Sequence, residues 1–336
     1  MKFLVTGGAG FIGSNFLHYM VKKYPKDYFV CLDLLTYAGN YDNIRTLETC
    51  DNFKFVYGDI RNVNEINSLF LHEKFDVVVN FAAETHVDTS IKNPNIFLET
   101  NVMGTVNLLN AVKEMETIYK VKRFHQISTD EVYGDLPLDR VDLSFNENSP
   151  LRPSSPYSAS KTSADLVVLA YARTYKIPVT ISRCSNNYGA YQFPEKLIPL
   201  TILRALNNEK IPIYGTGKNV RDWIHVKDHN IGVDMIIRHG KNGEVYNLGG
   251  NSEKENIEVV KLILKILNKS EDLIEYVPDR KGHDLRYSMN YNKAKTMLGW
   301  EPQIDFKDGL EETINWYLNN KKRLENLENR KPDINV

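Results

Sequence analysis

The chain has 336 residues and a formal net charge of −1, with 42% hydrophobic and 25% charged residues. This composition is typical of a globular protein, and the sequence lacks the basic stripe that indicates a nucleic-acid partner. No run approaches the roughly 20 apolar residues of a membrane-spanning helix, so no membrane partner is expected. The scattered Cys31, Cys50 and Cys184 lack the spacing of metal ligands, so we expect reduced thiols, a cytoplasmic protein and no metal.

Short apolar runs alternate with stretches of helical periodicity up to about residue 183. The predicted strands are 3–6, 29–33, 53–57, 77–81, 124–128 and 179–182. The predicted helices are 11–23, 63–73, 96–115 and 160–175. Continuous apolar strands separated by amphipathic helices are typical of a parallel sheet covered on both faces. The pattern therefore predicts an α/β fold with a Rossmann-type, doubly wound parallel sheet over residues 1–183.

The rhythm changes after residue 183. Irregular connections are indicated by Pro194, Pro199, Pro212, Gly215 and Gly217. Helices are predicted over 257–267, 293–298 and 308–318. We expect a smaller, mixed α/β substrate lobe over 184–320, with segments of about 222–249 returning to the main sheet. Residues 321–336 are rich in Lys, Glu and Asn and are expected to form a solvated tail.

A glycine-rich loop follows the first strand, Thr6-Gly7-Gly8-Ala9-Gly10-Phe11-Ile12-Gly13. Gly7 permits a tight turn, Gly10 a close approach of the backbone to a pyrophosphate, and Gly13 close packing of the helix. The helix that begins near Phe11 and Ile12 would direct its N-terminal amides at the phosphates. Such a loop alone is a weak signal and can be an ordinary turn, but its place between a strand and a helix favours a dinucleotide site.

Two acidic residues at later strand ends extend this prediction. Asp33 lies twenty residues after Gly13, where a carboxylate accepts hydrogen bonds from ribose hydroxyls and repels a 2′-phosphate. This favours NAD over NADP, although Asp33 could instead cap a turn. Asp59, followed by Ile60, has two roles of equal weight, contact with the adenine edge or capping of the helix from Val63.

Tyr157 and Lys161 lie four positions apart in a predicted helix and therefore share one face. The ammonium group is expected to lower the pKa of the phenol, so that Tyr157 can take a hydroxyl proton while hydride leaves to a nicotinamide. Thr129, at a strand end, could bind the reacting oxygen. The alternative is a surface helix pair, which the glycine loop makes a poor explanation.

At this point the chain resembles the extended short-chain dehydrogenase/reductase family, from the first strand to about Tyr317. The residues that carry the likeness are Thr6 to Gly13, Asp33, Asp59, Asn80-Phe81-Ala82-Ala83, Asn101, Tyr157 and Lys161. The resemblance implies NAD as cofactor, with contacts that include Ala82 and Ala83.

Within that family, the string Ser128-Thr129-Asp130-Glu131-Val132-Tyr133-Gly134 resembles the nucleoside-diphosphohexose 4,6-dehydratases. Further agreement lies at 82–88, 186–189, 193–199, 221–226 and 280–287. The resemblance implies that Glu131 removes the C5 proton of a 4-ketohexose and that Asp130 protonates the departing C6 hydroxyl. Two close, buried carboxyls repel each other as anions, so one bound proton is expected. The alternative is an acidic pair that caps a turn.

A nucleoside diphosphohexose brings about two negative charges, which planar guanidinium groups suit. The resemblance implies dTDP-glucose as substrate, with UDP-glucose left open. It places around the nucleotide Asn186, Lys196, Leu197, Arg221, Asn256, Arg280 and His283. Glu84, Thr85 and His86 are expected to line the sugar and nicotinamide side, although His86 has a structural alternative and Lys196 an equal alternative as a surface charge.

Ala190 and His225 stand where related sequences commonly have Pro and Tyr, and these departures leave the nucleotide base open. A sugar-nucleotide 4-epimerase is the second hypothesis, because it would use Tyr157 and Lys161 but not the two carboxyls. A non-catalytic NAD-binding protein is the third. By analogy we expect a homodimer through helices 96–115 and 160–175, whose apolar content allows more than one buried face.

Overall fold

The computed structural model describes residues 1–323. The strands in this range are β1 (Lys2–Thr6), β2 (Tyr28–Asp33), β3 (Phe53–Tyr57), β4 (Val77–Asn80), β5 (Arg123–Thr129), β6 (Val179–Cys184), β7 (Asn186–Tyr188), β8 (Ile211–Tyr214), β9 (Val220–His225), β10 (Glu244–Leu248), β11 (Glu253–Glu255) and β12 (Ile274–Val277). The α-helices are α1 (Phe11–Lys23), α2 (Val63–Glu73), α3 (Val87–Lys92), α4 (Pro94–Phe97), α5 (Thr105–Met115), α6 (Pro156–Tyr175), α7 (Leu197–Asn207), α8 (Val226–His239), α9 (Asn256–Ile266), α10 (Asn292–Leu298) and α11 (Phe306–Asn319). None of these helices is long and apolar enough to cross a membrane.

The main sheet has seven strands in the order β10-β6-β5-β4-β1-β2-β3. Every neighbouring pair in it is parallel. The strand order reverses between β1 and β4, and ligands of doubly wound sheets bind in the crevice outside the carboxyl ends of the strands at such a point. The predicted Rossmann-type fold is confirmed, and its topology locates the site.

Helices cover both faces of this sheet. On one face, α1 and α8 pack through buried residues that include Phe16 and Ile236. On the other, α2, α5 and α6 contribute residues that include Phe70, Leu108 and Val168. Each large side chain that is fully buried stabilises the fold by about 1.5–3 kcal/mol relative to exposure. The sheet is therefore a rigid platform for the residues at its carboxyl edge.

The C-terminal lobe is mixed α/β. It contains a three-stranded sheet in the order β11-β9-β7 and a two-stranded sheet of β12 and β8. A hydrophobic cluster joins α7, α9 and α11 to this lobe. The segment 222–249 divides between the lobes, because β9 belongs to the three-stranded sheet whereas β10 joins the main sheet and α8 packs on α1. The tail predicted over 321–336 falls, from residue 324 onward, outside the described residues.

Four local predictions need correction. Pro199 does not mark an irregular connection but lies in the first turn of α7, where the amide that proline lacks has no helical acceptor. Pro212 likewise lies in a regular element, strand β8 of the two-stranded sheet, where proline is tolerated at an edge. The helix predicted over 96–115 is α4, a π-helical stretch Leu98–Gly104, and α5. The helix predicted from Ser160 begins at Pro156, because Ser155 and Ser158 form a capping box before the apolar residues start.

Candidate active site

The glycine loop is a narrow turn between β1 and the N-terminus of α1. Gly7 has φ +67°, and a Cβ atom there would lie 2.6 Å from the amide nitrogen of Ala82. A Cβ atom on Gly13 would lie 2.3 Å from the carbonyl oxygen of Gly7. No side chain caps α1, and its first three residues line a cavity at the switch point. These free amides and the positive end of the helix dipole suit a pyrophosphate, so the loop fits a dinucleotide.

Asp33 ties this loop to the segment after β2. Its Oδ2 accepts a hydrogen bond from Ala9 N and its Oδ1 accepts one from Leu35 N, both at 2.8 Å. Burial raises the pKa of Asp33, and the two backbone hydrogen bonds oppose that rise. Asp33 therefore makes the turn contact of the alternative interpretation and also lines the cavity.

Asp59 and Ile60 line the same cavity. The Asp59 carboxylate accepts hydrogen bonds from the backbone and Nε of Arg61, both at 2.8 Å. The N-cap of α2 is Asn62, whose side chain accepts from the amides of residues 64 and 65. The helix-cap interpretation of Asp59 is therefore wrong.

The structure brings Tyr157, Lys161 and Thr129 to the same cavity, at the carboxyl end of β5. Lys161 Nζ donates to the carbonyl oxygen of Ile127 at 2.6 Å, and burial lowers the pKa of Lys161. Tyr157 is only 8% exposed. Burial raises the pKa of Tyr157 well above its ordinary value, and the negative charge of Glu131 raises it further.

The expectation of a lowered pKa for Tyr157 beside Lys161 is therefore wrong, because the surroundings of the phenol raise its pKa overall. The ammonium group is occupied by a main-chain carbonyl, whereas the phenol is shielded from water beside a carboxyl group. The group that lowers this pKa is the hydroxyl of Thr129.

Asp130 and Glu131 open a short 3₁₀ turn, Asp130–Tyr133. Thr129 caps it, since its Oγ1 accepts from Glu131 N at 3.3 Å, and the same hydroxyl donates to Asp130 Oδ1 at 3.1 Å. Asp130 is 2% exposed, and its Oδ2 has no hydrogen-bond partner. The turn is capped by a threonine, so the interpretation of the acidic pair as a cap is wrong.

The surroundings of Asp130 and Glu131 affect the pKa values of the two carboxyl groups differently. Burial, and then the charges of Glu131 and Asp222, raise the pKa of Asp130 well above its ordinary value. Burial also raises the pKa of Glu131, but the charges of Lys196 and Arg221 oppose that rise. A pair whose surroundings push their pKa values apart can serve as acid and base together. Here Asp130 is the carboxyl favoured to hold a proton that can be donated, and Glu131 is the carboxyl favoured to accept one.

A second cavity continues from the first toward the C-terminal lobe. The residues that line both cavities are Glu131, Asn186, Asn187, Gln192, Glu195 and Lys196. Of the residues predicted to bind substrate, Glu84 lines the first cavity. The others line the second, namely His86, Asn186, Lys196, Leu197, Arg221, Asn256, Arg280 and His283. The structure thus gathers every predicted site residue in one continuous cleft.

Arg221 is the buried cation of this second cavity. Its Nη1 donates to Val220 O at 2.8 Å and its Nη2 to Asp284 O at 2.9 Å. The guanidinium lies 4.4 Å from the ring centroid of Tyr287. Both hydrogen bonds go to neutral carbonyls, and none of the ion pairs within residues 1–323 includes Arg221. Its positive charge is therefore free to bind an anion.

His86 and Lys196 keep part of their alternative roles. His86 caps α3, since its Nδ1 accepts from Thr89 N at 3.3 Å. Its Nε2 also lies 3.8 Å from Oε2 of Glu195 in the cleft. Lys196 Nζ donates to Thr85 O at 3.0 Å, which holds it across the cleft rather than in bulk solvent. Both residues therefore combine a structural contact with a place in the site.

Sequence reasoning missed several polar residues of the cleft. Glu195 lines both cavities and accepts a hydrogen bond from Tyr37 OH at 3.1 Å. Tyr287 lines the second cavity, and its hydroxyl donates to Asp284. Both residues could have been found from the sequence, because Glu195 adjoins Lys196 and Tyr287 ends the 280–287 segment, and both therefore lie in segments that resemble the family. Asp222 also lies in such a segment, 221–226, but the effect of its charge on the pKa of Asp130 could be found only from the fold.

The fold and the site together define a dinucleotide-dependent enzyme of the short-chain dehydrogenase/reductase type. A family model described as GDP-mannose 4,6 dehydratase matches residues 4–313, and the chain belongs to this family. The resemblance to 4,6-dehydratases noted in the sequence is confirmed.

Individual relatives agree with this membership. A dTDP-glucose 4,6-dehydratase of Escherichia coli is 45% identical over 344 residues, which cover 96% of this chain and 95% of the relative. The crystal structure of a dTDP-glucose 4,6-dehydratase from Streptomyces venezuelae, with NAD and a second ligand bound, has a TM-score of 0.93 and 44% identity, covering 97% and 100% of the two chains. That of Bacillus anthracis, in complex with NAD, has a TM-score of 0.89 and 47% identity, covering 97% and 99%.

Proposed function

We propose that this protein catalyses the NAD-dependent dehydration of dTDP-glucose to dTDP-4-keto-6-deoxyglucose. The observation that carries the proposal is the pair Asp130 and Glu131 at the end of β5, in the cavity that also contains Tyr157 and the glycine loop. A 4-epimerase has no use for two carboxyls there. A non-catalytic NAD-binding protein has no use for this arrangement of acid, base and phenol.

NAD would lie along the glycine loop, Asp33 and the segment from Asp59, and when bound it accepts hydride from C4 of the sugar and returns hydride to C6. Asp33 selects NAD over NADP, because its buried carboxyl lies where a 2′-phosphate would add a second negative charge. We further propose that residues 1–183 form the cofactor domain and that 184–320 form most of the nucleotide-binding lobe.

The remaining chemistry belongs to the side chains. Tyr157 takes the C4 hydroxyl proton as its phenolate, while Thr129 binds the same oxygen. In the complex the positive charges of Lys161 and of a bound nicotinamide would favour that phenolate, against the burial that raises the pKa of Tyr157 in the free protein. The resulting ketone acidifies the C5 proton, which passes to Glu131. Asp130 protonates the C6 hydroxyl, which departs as water and leaves a double bond between C5 and C6. Hydride then adds at C6 and a proton at C5, so that one water is lost and the sugar is otherwise only rearranged.

The nucleotide would occupy the second cavity. Arg221 and Arg280 suit the diphosphate, because guanidinium groups can donate two parallel hydrogen bonds to phosphate oxygens. The other residues proposed to contact the nucleotide or sugar are Glu84, His86, Asn186, Lys196, Leu197, Asn256 and His283.

The function is tested by incubating the purified protein with dTDP-glucose and with UDP-glucose in parallel. We expect a product lighter by one water, with a 4-keto chromophore in alkali, from dTDP-glucose in preference to UDP-glucose. An epimer that retains the C6 hydroxyl would identify an epimerase instead. Absence of any product with either nucleotide sugar would overturn the proposal.

We also propose that the protein is a cytoplasmic homodimer. Its helical face at 98–104 and α6 exposes large apolar side chains, with Leu98 47%, Met103 53% and Leu166 54% exposed. Such a patch favours burial against a second copy. Light scattering should show a dimer that Leu166→Glu dissociates, whereas Met297→Glu, which alters an equally exposed residue (48%) on α10, leaves it intact. A monomeric wild-type protein would contradict the assignment.

The free thiols of Cys31, Cys50 and Cys184 support a reducing compartment.

A further inference from the structure

The guanidinium of Arg280 is held from the opposite side of the cleft by Asp88. Asp88 lies in the first turn of α3, whereas Arg280 lies in the connection after β12. Arg280 Nη2 donates to Asp88 Oδ2 at 2.9 Å, and Arg280 Nε lies 2.7 Å from Asp88 Oδ1. The contact therefore joins two segments that are 192 positions apart in sequence.

Tyr214 completes this arrangement. Its hydroxyl donates to Asp88 Oδ2 at 3.3 Å, and its ring centroid lies 5.0 Å from Cζ of Arg280. The side chains of Arg280 and Asp88 are about equally shielded, at 23% and 26% exposure. All three residues line the second cavity. The guanidinium is thus held by a carboxylate along one edge and by an aromatic face.

The edge that Asp88 uses decides what remains for a ligand. A guanidinium has five N–H donors in a rigid fork. Asp88 accepts a hydrogen bond from Nη2 and lies close to Nε as an ion pair without a hydrogen bond, and within residues 1–323 no hydrogen bond is made by Nη1. The Nη1 group and the second Nη2 hydrogen form the terminal edge of the fork, which matches a phosphate group. Asp88 therefore leaves the phosphate-binding edge open.

We propose that Asp88 is a positioning residue for nucleotide binding, which acts by fixing Arg280 for the diphosphate of the substrate. This inference rests on the proposed function, because it takes a nucleoside diphosphate as the ligand of Arg280. An unrestrained arginine side chain loses rotamer entropy when it is immobilised, which opposes binding. Asp88 imposes that order before the ligand arrives, so binding does not have to supply it.

If Asp88 had the opposite role, its removal would change the affinity for the nucleotide in the opposite direction. If Asp88 competed with phosphate for the guanidinium, its removal would tighten binding. If it positions the guanidinium, its removal weakens binding and leaves the chemical steps at Asp130 and Glu131 unaltered. The two roles are distinguished by one substitution.

The experiment compares wild-type protein with Asp88→Asn, which keeps the side-chain shape but removes the charge. We expect KM for dTDP-glucose and the calorimetric Kd for dTDP to rise about tenfold, with kcat within twofold of wild type. Glu244→Gln is the matched control. Its ion pair with Lys293 has similar exposure, 35% and 23%, and lies at the start of β10, away from the carboxyl edge. It should leave KM unchanged.

A double-substitution cycle tests whether Asp88 acts through Arg280. Arg280→Gln should weaken dTDP binding, and adding Asp88→Asn to it should cause no further loss. Additive losses, an unchanged or smaller KM in Asp88→Asn, or a fall in kcat alone would each overturn the inference. If Asp88→Asn does not fold, as judged by melting temperature and bound NAD, Asp88→Ser, which also removes the carboxylate, should give the same rise in KM. Failure of the wild-type protein to convert dTDP-glucose would count against the proposed function instead.

Discussion

The hydroxyl of Thr129 donates a hydrogen bond to Oδ1 of Asp130 at 3.1 Å, while Oδ2 of the same carboxyl is buried without a partner. A buried ionised carboxylate with an unsatisfied oxygen is costly, whereas a protonated carboxyl can carry its proton on that oxygen. This relationship makes Asp130 an acid whose proton points to no protein acceptor. Asp130 itself lines the cavity in which the hydroxyl would depart.

Asp130→Asn should slow dehydration by about 10²–10⁴-fold, because that is the usual contribution of a general acid. Oxidation at C4 should persist, since it depends on Tyr157, and NADH absorbance should accumulate. Because the pKa of Asp130 is raised, the wild-type elimination rate should fall as pH rises through that raised pKa. Stopped-flow absorbance across pH measures both effects. If the elimination rate of Asp130→Asn fell with rising pH in the same way as that of the wild type, another group would be the acid.

The same substitution should change folding stability with a definite sign. A carboxyl whose pKa is raised on folding binds its proton more tightly in the folded state. Its contribution to the free energy of unfolding is complete below the unfolded pKa of about 3.9 and is lost as pH rises through the folded pKa. Asparagine does not titrate, so Asp130→Asn should gain thermal stability over wild type as pH increases. Melting temperatures that fall in parallel for both proteins would contradict this.

Glu131→Gln should block elimination at C5 and leave C4 oxidation measurable. The loss of dehydration should again be about 10²–10⁴-fold. Since the charge of Glu131 raises the pKa of Tyr157, its removal should also move the pH profile of C4 oxidation toward lower pH. Single-turnover NADH formation measures this shift directly. Undiminished dehydration in Glu131→Gln would remove Glu131 from the role of base.

Much of the Rossmann core could be predicted because its strands are buried on both faces and therefore consist of continuous apolar runs, as in Val77 to Asn80. The small strands of the C-terminal lobe lack that signature. Strand β11 consists of Glu253, Lys254 and Glu255, and only its pairing with β9 makes it a strand. Pro199 was misleading because proline breaks a helix in its interior but not in its first turn.

In the site, as in the fold, features with a local sequence signature could be predicted and features without one could not. Motif residues such as Asp130 were found because local strings carry them, and their placement in one cleft follows from the shared carboxyl edge of the sheet. The net pKa direction of Tyr157 and the contact of Asp88 with Arg280 depend on burial and on segments far apart in sequence. No local pattern contains that information.

Two glycines of the loop should respond differently to substitution. In Gly13→Ala the new methyl group would meet the Gly7 carbonyl at 2.3 Å, so both the melting temperature and NAD affinity should fall. In Gly10→Ala the nearest atom is that carbonyl at 3.3 Å, so the free protein should fold with little loss while NAD affinity falls. Thermal unfolding and NAD fluorescence titration distinguish the two. Normal NAD binding by Gly10→Ala would show that the pyrophosphate does not approach this backbone.

Stability, in contrast to catalysis, should depend on Asp234 of α8, which lies at the C-terminal end of α1. Its side chain is 2% exposed, and it accepts hydrogen bonds from Lys23 Nζ at 2.8 Å, Tyr24 OH at 2.8 Å and Arg238 Nε at 2.9 Å. Asp234→Ala removes the buried acceptor that these three donors share and should cost about 3 kcal/mol in the free energy of unfolding. The kcat should stay within twofold, because these contacts lie at the opposite end of α1 from the glycine loop.

Asp42→Ala is the control, since its pair with Arg45 is exposed (53% and 69%) and should contribute under about 1 kcal/mol. Urea unfolding measures both variants, and equal losses would mean that burial of the ion pair does not determine its contribution.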